Sequence, residues 1–227
     1  MIVAIDGPSA SGKSTIGRML ARHLQLPLVD SGLMYRAVTV LALEAGIDPG
    51  DTEALGELAR RTPVEVNTSP EERPPWQVRV DGRDLTAAVF DAAIAPALAR
   101  VSQVAEVRRE MVAQQRRYGG GGVVMVGRDI GTVVFPDADL KLFITAGQEE
   151  RKRRRSHQMA DDSHALLKGE IADRDAADSG RALAPLRAAS DAHTIETDGR
   201  SPQDVFVEIL RLIPEPTPGS AHEAQSG

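Results

Sequence analysis

Residues 1–15 read MIVAIDGPSASGKST. The first five form a short apolar run of the kind that parallel strands show when both faces of their sheet are covered. The stretch Gly7–Ser14 matches the pattern G-x-x-x-x-G-K-[S/T], and apolar residues at helical spacing follow it, namely Ile16, Met19, Leu20 and Leu24. A strand, a glycine-rich turn and a helix in this order predict a phosphate-binding loop.

Each residue type in this loop suits the binding of a triphosphate. Gly7 and Gly12 allow a tight turn, so that successive amide N–H groups face an anion at the start of a helix. Lys13 supplies a mobile cation for the β- and γ-phosphates, and the Ser14 hydroxyl can bind Mg²⁺. A turn that merely caps a helix is the alternative, and the flanking elements disfavour it. We expect ATP to be bound by Gly7, Pro8, Ser9, Ala10, Ser11, Gly12, Lys13, Ser14 and Thr15, with Lys13 catalytic and Ser14 as the metal ligand.

The composition of the chain excludes several classes of protein. Of 227 residues, 41% are hydrophobic and 26% charged, and the formal charge is −6, which suits one domain with no overall attraction to nucleic acid or an anionic membrane. Cysteine is absent, which rules out disulfides and thiolate metal sites, and 3% aromatic residues are too few for rows of base-stacking platforms. No apolar run approaches the ~18 residues of a membrane span, so neither an anchor nor a secretory signal is expected and the protein should be cytoplasmic.

Strand and helix patterns alternate along most of the chain. Strands are predicted at 27–29, 123–126, 140–144 and 194–196, and helices at 33–45, 92–118 with an interruption near Pro96, 149–159, 165–176 and 202–212. The proline-rich, polar stretch 62–75 and the alternation at 77–80 before an Asp-Gly turn indicate a small β-containing insert. The order βαβα predicts a three-layer α/β core with a parallel sheet.

The phosphate loop alone does not separate kinases from GTPases and motor ATPases. A GTPase needs an Asn-Lys-x-Asp segment that reads guanine, yet Asn67 is the only asparagine and Thr68 follows it, and no D-x-x-G switch occurs. A motor ATPase would be larger and would carry an acidic residue at the end of an apolar strand. Phosphoryl transfer to a small molecule is therefore favoured.

Three further motifs follow the phosphate loop in order. Residues 30–36 read DSGLMYR, residues 127–138 read GRDIGTVVFPDA, and the pattern R-D-x-x-D-x-x-R at 174–181 precedes A-L-A-P-L. Together with the phosphate loop, these motifs make residues 1–198 resemble bacterial cytidylate kinases. The resemblance implies a P-loop kinase of a nucleoside monophosphate, with ATP and CMP or dCMP as substrates and Mg²⁺ as cofactor.

The same resemblance implies a set of residues for the monophosphate site. Arg128 would contact the phosphate and Asp129 the cytosine edge. The full set is Ser31, Tyr35, Arg36, Ser102, Arg108, Arg128, Asp129, Arg174, Asp178 and Arg181. The family's arginine-bearing lid corresponds to 151–155, and the implied catalytic cations besides Lys13 are Arg128, Arg151, Arg155 and Arg181.

On this interpretation residues 1–213 form a single P-loop kinase domain. Its core comprises residues 1–47 and 106–213, approximately. An inserted monophosphate-binding lobe comprises about 48–105, and a short helical lid comprises about 150–162. Residues 214–227 have nothing to bury and should be a disordered tail. We expect a monomer with no nucleic-acid or membrane partner.

The implied reaction needs no general base. A phosphate monoester has a second pKa near ~6, so the attacking oxygen is already mostly ionised at neutral pH. Catalysis then reduces to alignment and charge neutralisation, for which the planar fork of arginine is suited. On a helix Arg151 lies one turn from Arg154 and Arg155, so the three share a face. His157 and His164 flank the lid and have no chemical part to play.

Two features depart from the family pattern. Family members place an acidic residue immediately before Gly-Arg-Asp, where this chain has Val126. Asp30 or Asp6 could take its place, or Ser14 and the phosphates could hold Mg²⁺ without it. Residues 90–92 read FDA where another signature is usual, which leaves the acceptor base open. The alternatives are a kinase of UMP or another small acceptor and, from a different class, an ATP-binding regulatory or RNA-binding protein that uses the arginine run as its partner surface.

Overall fold

A computed structural model describes residues 1–68, 76–160 and 186–214, without the side chains of Arg155 and of 157–160. The strands are β1 (Ile2–Asp6), β2 (Leu28–Asp30), β3 (Val64–Thr68), β4 (Trp76–Val80), β5 (Arg83–Asp84), β6 (Val123–Val126), β7 (Leu140–Thr145) and β8 (His193–Glu196). The helices are α1 (Lys13–Leu24), α2 (Ser31–Glu44), α3 (Thr52–Arg61), α4 (Ala95–Val101), α5 (Ala105–Arg117), α6 (Gln148–Ala160) and α7 (Pro202–Leu210). Within these described ranges, no helix is both long and apolar enough to cross a membrane.

A parallel five-stranded sheet forms the core, in the order β2-β6-β1-β7-β8. Successive side chains of a strand point to opposite faces, and both faces of β1 are covered. On one face Ile5 lies against α1, where Gly17 lets the helix approach Val126 closely. On the other face Asp6 contacts a single π-turn at Ile130–Val134. The predicted α/β core with a parallel sheet is confirmed.

The predicted β-containing insert is a three-stranded antiparallel sheet, β3-β4-β5. It is held to the core by the side chains of Gln114 on α5 and of Tyr118 just after α5, and by its own Thr68, whose hydroxyl donates to the Leu28 carbonyl. The Gln114 amide accepts from the Val64 N–H and donates to the Thr62 carbonyl, and the Tyr118 hydroxyl accepts from the Val66 N–H. The insert therefore packs on the same helix, α5, that contributes to the site described below.

The structure corrects three details of the predicted elements. The helical stretch 92–118 is interrupted at 102–104 and not near Pro96, which lies in the first turn of α4, where proline fits because its missing N–H is not needed there. Helix α2 begins at Ser31, two residues early, because the Asp30 carboxylate caps it by accepting the Gly32 N–H. Helix α3 was not predicted, although Asp51 caps it in the same way.

The remaining predicted strands and helices fall into two groups. Strands at 27–29, 123–126, 140–144 and 194–196 and helices at 149–159 and 202–212 are confirmed to within two residues at each end. The second charged helix, at 165–176, and the tail beyond 214 lie outside the described residues. The proposed domain boundaries stay predictions.

Glycine is required at the point where β1 enters the phosphate loop. Gly7 has φ +144°, and a Cβ atom there would lie 2.0 Å from the Ile144 carbonyl oxygen of β7. Backbone cannot yield to such a contact as the end of a flexible side chain can, so the close passage of the loop across β7 depends on this residue.

We predict that Gly7→Ala lowers the free energy of unfolding by about 3 kcal/mol or more, measured by urea denaturation, because it combines a backbone clash with a positive φ. Gly82→Ala is the matched control, since Gly82 has φ +76° with nothing within 4 Å of the added atom. That variant should lose about 1 kcal/mol from the positive φ alone. Equal losses in the two variants would show that the clash does not matter.

Candidate active site

The phosphate loop lies between β1 and α1, as predicted. Ala10 and Gly12 have positive φ values, 58° and 99°, which turn the backbone sharply before the helix. Gly12 is the N-cap residue of α1 and supplies no side-chain acceptor to the first amide groups of the helix. These N–H groups and the helix dipole favour an anion at this point.

Lys13 is folded over its own loop. Its ammonium group donates to the Pro8 carbonyl at 2.6 Å, and the residue is only 7% exposed. The neighbouring Ser11 is fully buried, and its hydroxyl has no hydrogen-bond partner among the described residues. The loop thus concentrates a cation, amide donors and a hydroxyl within a few residues, as a phosphate site requires.

Arg128 connects the Gly-Arg-Asp motif to the phosphate loop. Its guanidinium donates to the Gly7 carbonyl at 3.1 Å and to the Ser9 hydroxyl at 2.6 Å. This contact is possible because β1 and β6 pair in parallel, with Ile5 opposite Val126, so the loops that follow them start at the same edge of the sheet. The predicted donor and acceptor motifs therefore meet directly.

Four of the predicted acceptor residues converge beside Arg128. Arg108 on α5 forms a hydrogen-bonded ion pair with Asp129, and both side chains are about nine-tenths buried. The Arg108 guanidinium also lies 5.6 Å from the centre of the Tyr35 ring and donates to the Ser102 carbonyl at 3.4 Å. A planar cation, a carboxylate and an aromatic ring at one place provide the donor, acceptor and stacking groups that a nucleobase uses.

Helix α2 contacts both the Gly-Arg-Asp loop and the insert, through Ser31 and Arg36. The Ser31 hydroxyl donates to the Val126 carbonyl at 3.1 Å, at the end of β6. Arg36 is 6% exposed and donates to the Val89 carbonyl at 2.8 Å, in the insert. Helix α2 therefore carries one predicted residue to the Gly-Arg-Asp loop and another to the insert.

Asp6 and Asp30, the two carboxylates that could take the place of the missing acidic residue at position 126, have different hydrogen-bond partners. Asp6 uses both oxygens, which accept the Ile130 and Gly131 N–H groups at 2.8 Å each. Burial raises its pKa to about 6, with the charge of Asp129 adding to the effect and the two N–H bonds and Lys13 opposing it. Asp30 uses one oxygen for its helix cap, and only that oxygen has a hydrogen-bond partner among the described residues.

The arginine run of α6 reaches the phosphate loop through Arg154. Its guanidinium donates to the Ser11 carbonyl at 3.2 Å, and to the hydroxyl and carbonyl of Thr197 at 2.8 and 2.5 Å. Thr197 is 4% exposed, and its hydroxyl lies within hydrogen-bond distance of the Ser11 carbonyl at 3.0 Å. Arg151 donates to the Ala146 carbonyl, two residues before its own helix begins. The Arg155 side chain, like Arg174, Asp178 and Arg181, lies outside the described residues, so its role stays a prediction.

Sequence reasoning missed Thr197, the role of Asp6 as a backbone acceptor and the contact of Arg154 with the loop. Thr197 directly follows β8, and polar residues just beyond parallel strands lie at the edge where ligands bind, a signal that could have found it. Asp6 precedes the phosphate loop directly, but the turn that it caps is distant in sequence. Arg154 was expected on the lid face, without the loop as its partner.

Comparison with known proteins identifies the family of the chain. A sequence model described as cytidylate kinase matches residues 3–215, which is nearly the whole chain. The chain belongs to the cytidylate kinase family. The cytidylate kinase of Geobacillus thermodenitrificans (strain NG80-2) is 43% identical over 218 residues, which cover 94% of this chain and 96% of that one.

Other members of the cytidylate kinase family are longer proteins. The bifunctional pantoate ligase/cytidylate kinase of Synechococcus sp. (strain JA-3-3Ab) is 43% identical over 216 residues, covering 93% of this chain but 40% of the relative. That of Gloeobacter violaceus is 44% identical over 229 residues, covering 96% and 44%. The chain thus spans about two fifths of the length of these relatives. A sugar kinase structure from Janibacter sp. covers 92% of this chain at 14% identity, with a TM-score of 0.48, too loose a superposition to add to the assignment.

The buried ion pair between Arg108 and Asp129 leads to a prediction about stability. Arg108→Met removes the guanidinium that pairs with the buried Asp129 carboxylate and should lower the free energy of unfolding by about 3 kcal/mol. Arg109→Met is the matched control, because the side chain of Arg109 is 63% exposed and pairs with its neighbour on the same helix, Glu110. The Arg109→Met variant should lose less than about 0.5 kcal/mol of the free energy of unfolding, measured by urea denaturation. A similar effect of both changes would contradict the pairing.

The raised pKa of Asp6 predicts how the stability of the protein depends on pH. Its pKa of about 6 in the folded state exceeds the ordinary 3.8, so the folded state binds the proton more tightly than the unfolded state. The stabilisation by this group is fully present below pH 4 and is lost as the pH rises through 6. The free energy of unfolding of the wild type relative to Asp6→Asn should fall by about 2 kcal/mol between pH 4 and 7. A difference that is constant or grows with pH would refute the raised pKa.

Proposed function

We propose that the chain transfers the γ-phosphoryl group of ATP to CMP or dCMP, giving ADP and the nucleoside diphosphate. The observation that carries this proposal is the position of Arg128. Its guanidinium touches the phosphate loop, while the residue next to it, Asp129, belongs to the buried acceptor cluster. Direct transfer requires two anion sites within reach of one another, and a cation between them lowers the repulsion between the two phosphates.

On the donor side, the chain's own residues bind and orient the triphosphate. Amide groups of the phosphate loop hold the anion, and the Lys13 ammonium group neutralises charge on the β- and γ-phosphates. Ser14 and Asp30 offer the oxygen ligands that Mg²⁺ prefers, and no described cluster of three or more acidic or histidine residues could hold a metal without the nucleotide. When bound, Mg²⁺ supplies charge neutralisation at the phosphate oxygens.

On the acceptor side, the cluster around Arg108 and Asp129 would read the base. Cytosine presents an exocyclic amino group, which can donate to the Asp129 carboxylate, whereas uracil presents a carbonyl oxygen at the same position. Facing a carboxylate, that carbonyl would be repelled and left without a donor. The cluster therefore favours cytosine over uracil, and Arg36 with Arg128 would bind the phosphate of the acceptor.

The alternative functions receive less support from the contacts. A partner surface for RNA needs cations that are available to phosphates, yet Arg153 and Arg154 on α6 both bond to Glu150 and hold its pKa at about 2. Lys152 likewise pairs with Glu149. Three of the five basic residues at 151–155 thus pair with acidic residues of their own helix. Cytoplasmic localisation, the monomeric state and a helical lid remain part of the proposal.

The proposal is tested by a coupled assay of ADP release with CMP, dCMP, UMP and AMP. We expect turnover with CMP and dCMP, and at least tenfold lower kcat/KM with UMP, since its base loses the bond to Asp129. Lys13→Ala should lower kcat by about a hundredfold or more, and Arg36→Ala should raise the KM for CMP about tenfold. Arg22→Ala, on the exposed face of α1, should match the wild type. Absence of turnover with every monophosphate would refute the proposed function.

A further inference from the structure

The π-turn that follows Asp129 is held by charged side chains at both ends. At its start, the Asp6 carboxylate accepts the N–H groups of Ile130 and Gly131. At its end, the Arg116 guanidinium donates to the carbonyls of Val133 and Val134 at 2.8 and 3.0 Å. An anion at the N–H end and a cation at the carbonyl end match the dipole of the turn.

Asp6 holds its end of the turn tightly. The residue is 4% exposed, and each carboxylate oxygen has its own N–H partner at 2.8 Å. A Cβ atom at Gly131 would lie 3.4 Å from an Asp6 oxygen and 3.3 Å from the side chain of Lys141, so glycine permits the close approach. A carboxylate that accepts two buried N–H groups cannot be replaced by an amide of the same shape, because the amide nitrogen is a donor.

Two sets of hydrogen bonds therefore join the phosphate loop to the Gly-Arg-Asp loop. Asp6, directly before Gly7, holds the residues that follow Asp129, and Arg128, directly before Asp129, holds Gly7 and Ser9. Asp129 lies between these two sets of hydrogen bonds in sequence, and its carboxylate accepts a hydrogen bond from the Arg108 guanidinium. The position of Asp129 relative to the donor site is thus set by Asp6 on one side and Arg128 on the other.

We propose that Asp6 is a positioning residue, which rests on the proposed function: it touches neither nucleotide and holds Arg128 and Asp129 in register with the phosphate loop. Its loss would leave the phosphate loop able to bind ATP, because the loop's own amide groups and Lys13 remain. The acceptor would bind less well, because the two residues that contact it are no longer fixed before it arrives.

The test compares three variants in steady-state kinetics at pH 8 and in calorimetric binding of CMP. Asp6→Asn and Gly131→Ala disturb the turn beside Asp129, and Arg116→Gln disturbs its far end. We expect the first two to raise the KM and the dissociation constant for CMP about tenfold while the KM for ATP changes less than twofold. Arg116→Gln should lower the melting temperature yet leave both KM values within twofold. Gly131→Ala carries the test if Asp6→Asn does not fold.

A double variant separates positioning from general loss of structure. In an Arg128→Met background, Asp6→Asn should add less than twofold to the KM for CMP, since part of what it positions is already gone. A folded Asp6→Asn protein with an unchanged KM for CMP would overturn the proposal, as would an equal rise with Arg116→Gln or in the KM for ATP. Such results in an active wild type refute the positioning role alone, whereas a wild type that neither binds nor phosphorylates CMP overturns the proposed function and this role together.

Discussion

The parallel pairing of β1 with β6 is the constraint on which the site depends. It brings the ends of both strands to one edge of the sheet, so that the phosphate loop after Asp6 and the Gly-Arg-Asp loop after Val126 begin side by side. Hydrogen bonds from Arg128 to the phosphate loop, and from the backbone at 130 and 131 to Asp6, cross the gap between the two loops. Without this pairing, the two proposed anion sites would be separate features of the chain.

Charged groups are buried at this edge only with partners. Asp129 has Arg108, and Asp6 has two backbone N–H groups and the nearby charge of Lys13. Burying a charge is costly unless it is paired and hydrogen-bonded, so each partner is needed to keep the site stable. The same pairing limits the freedom of the side chains before a nucleotide arrives, which suits a reaction that depends on alignment more than on proton transfer.

Local patterns predicted much of the fold and part of the candidate site. The apolar runs of β1, β6 and β7 and the spacing of the phosphate loop depend on neighbouring residues alone, so they were found with errors of one or two residues. The interruption of the helix at 102–104 was misplaced because Pro96 was taken as a break, although it lies in the first turn of α4. Helix α3 was missed in a short stretch, although its Asp51 cap is a local signal. Ser102 and Arg108 are not marked by any local pattern, and they were proposed only through the family resemblance.

The sequence by itself determined the phosphate loop, the parallel α/β class and the kinase family, because each is encoded in contiguous motifs and their order. Only the tertiary structure decided that Asp6 caps the turn at 130–134, that Arg154 and Thr197 meet at the Ser11 carbonyl, and that Arg108 is neutralised by Asp129. These contacts join residues between 21 and 186 positions apart. Their partners are set by strand order and register, which no local spacing records.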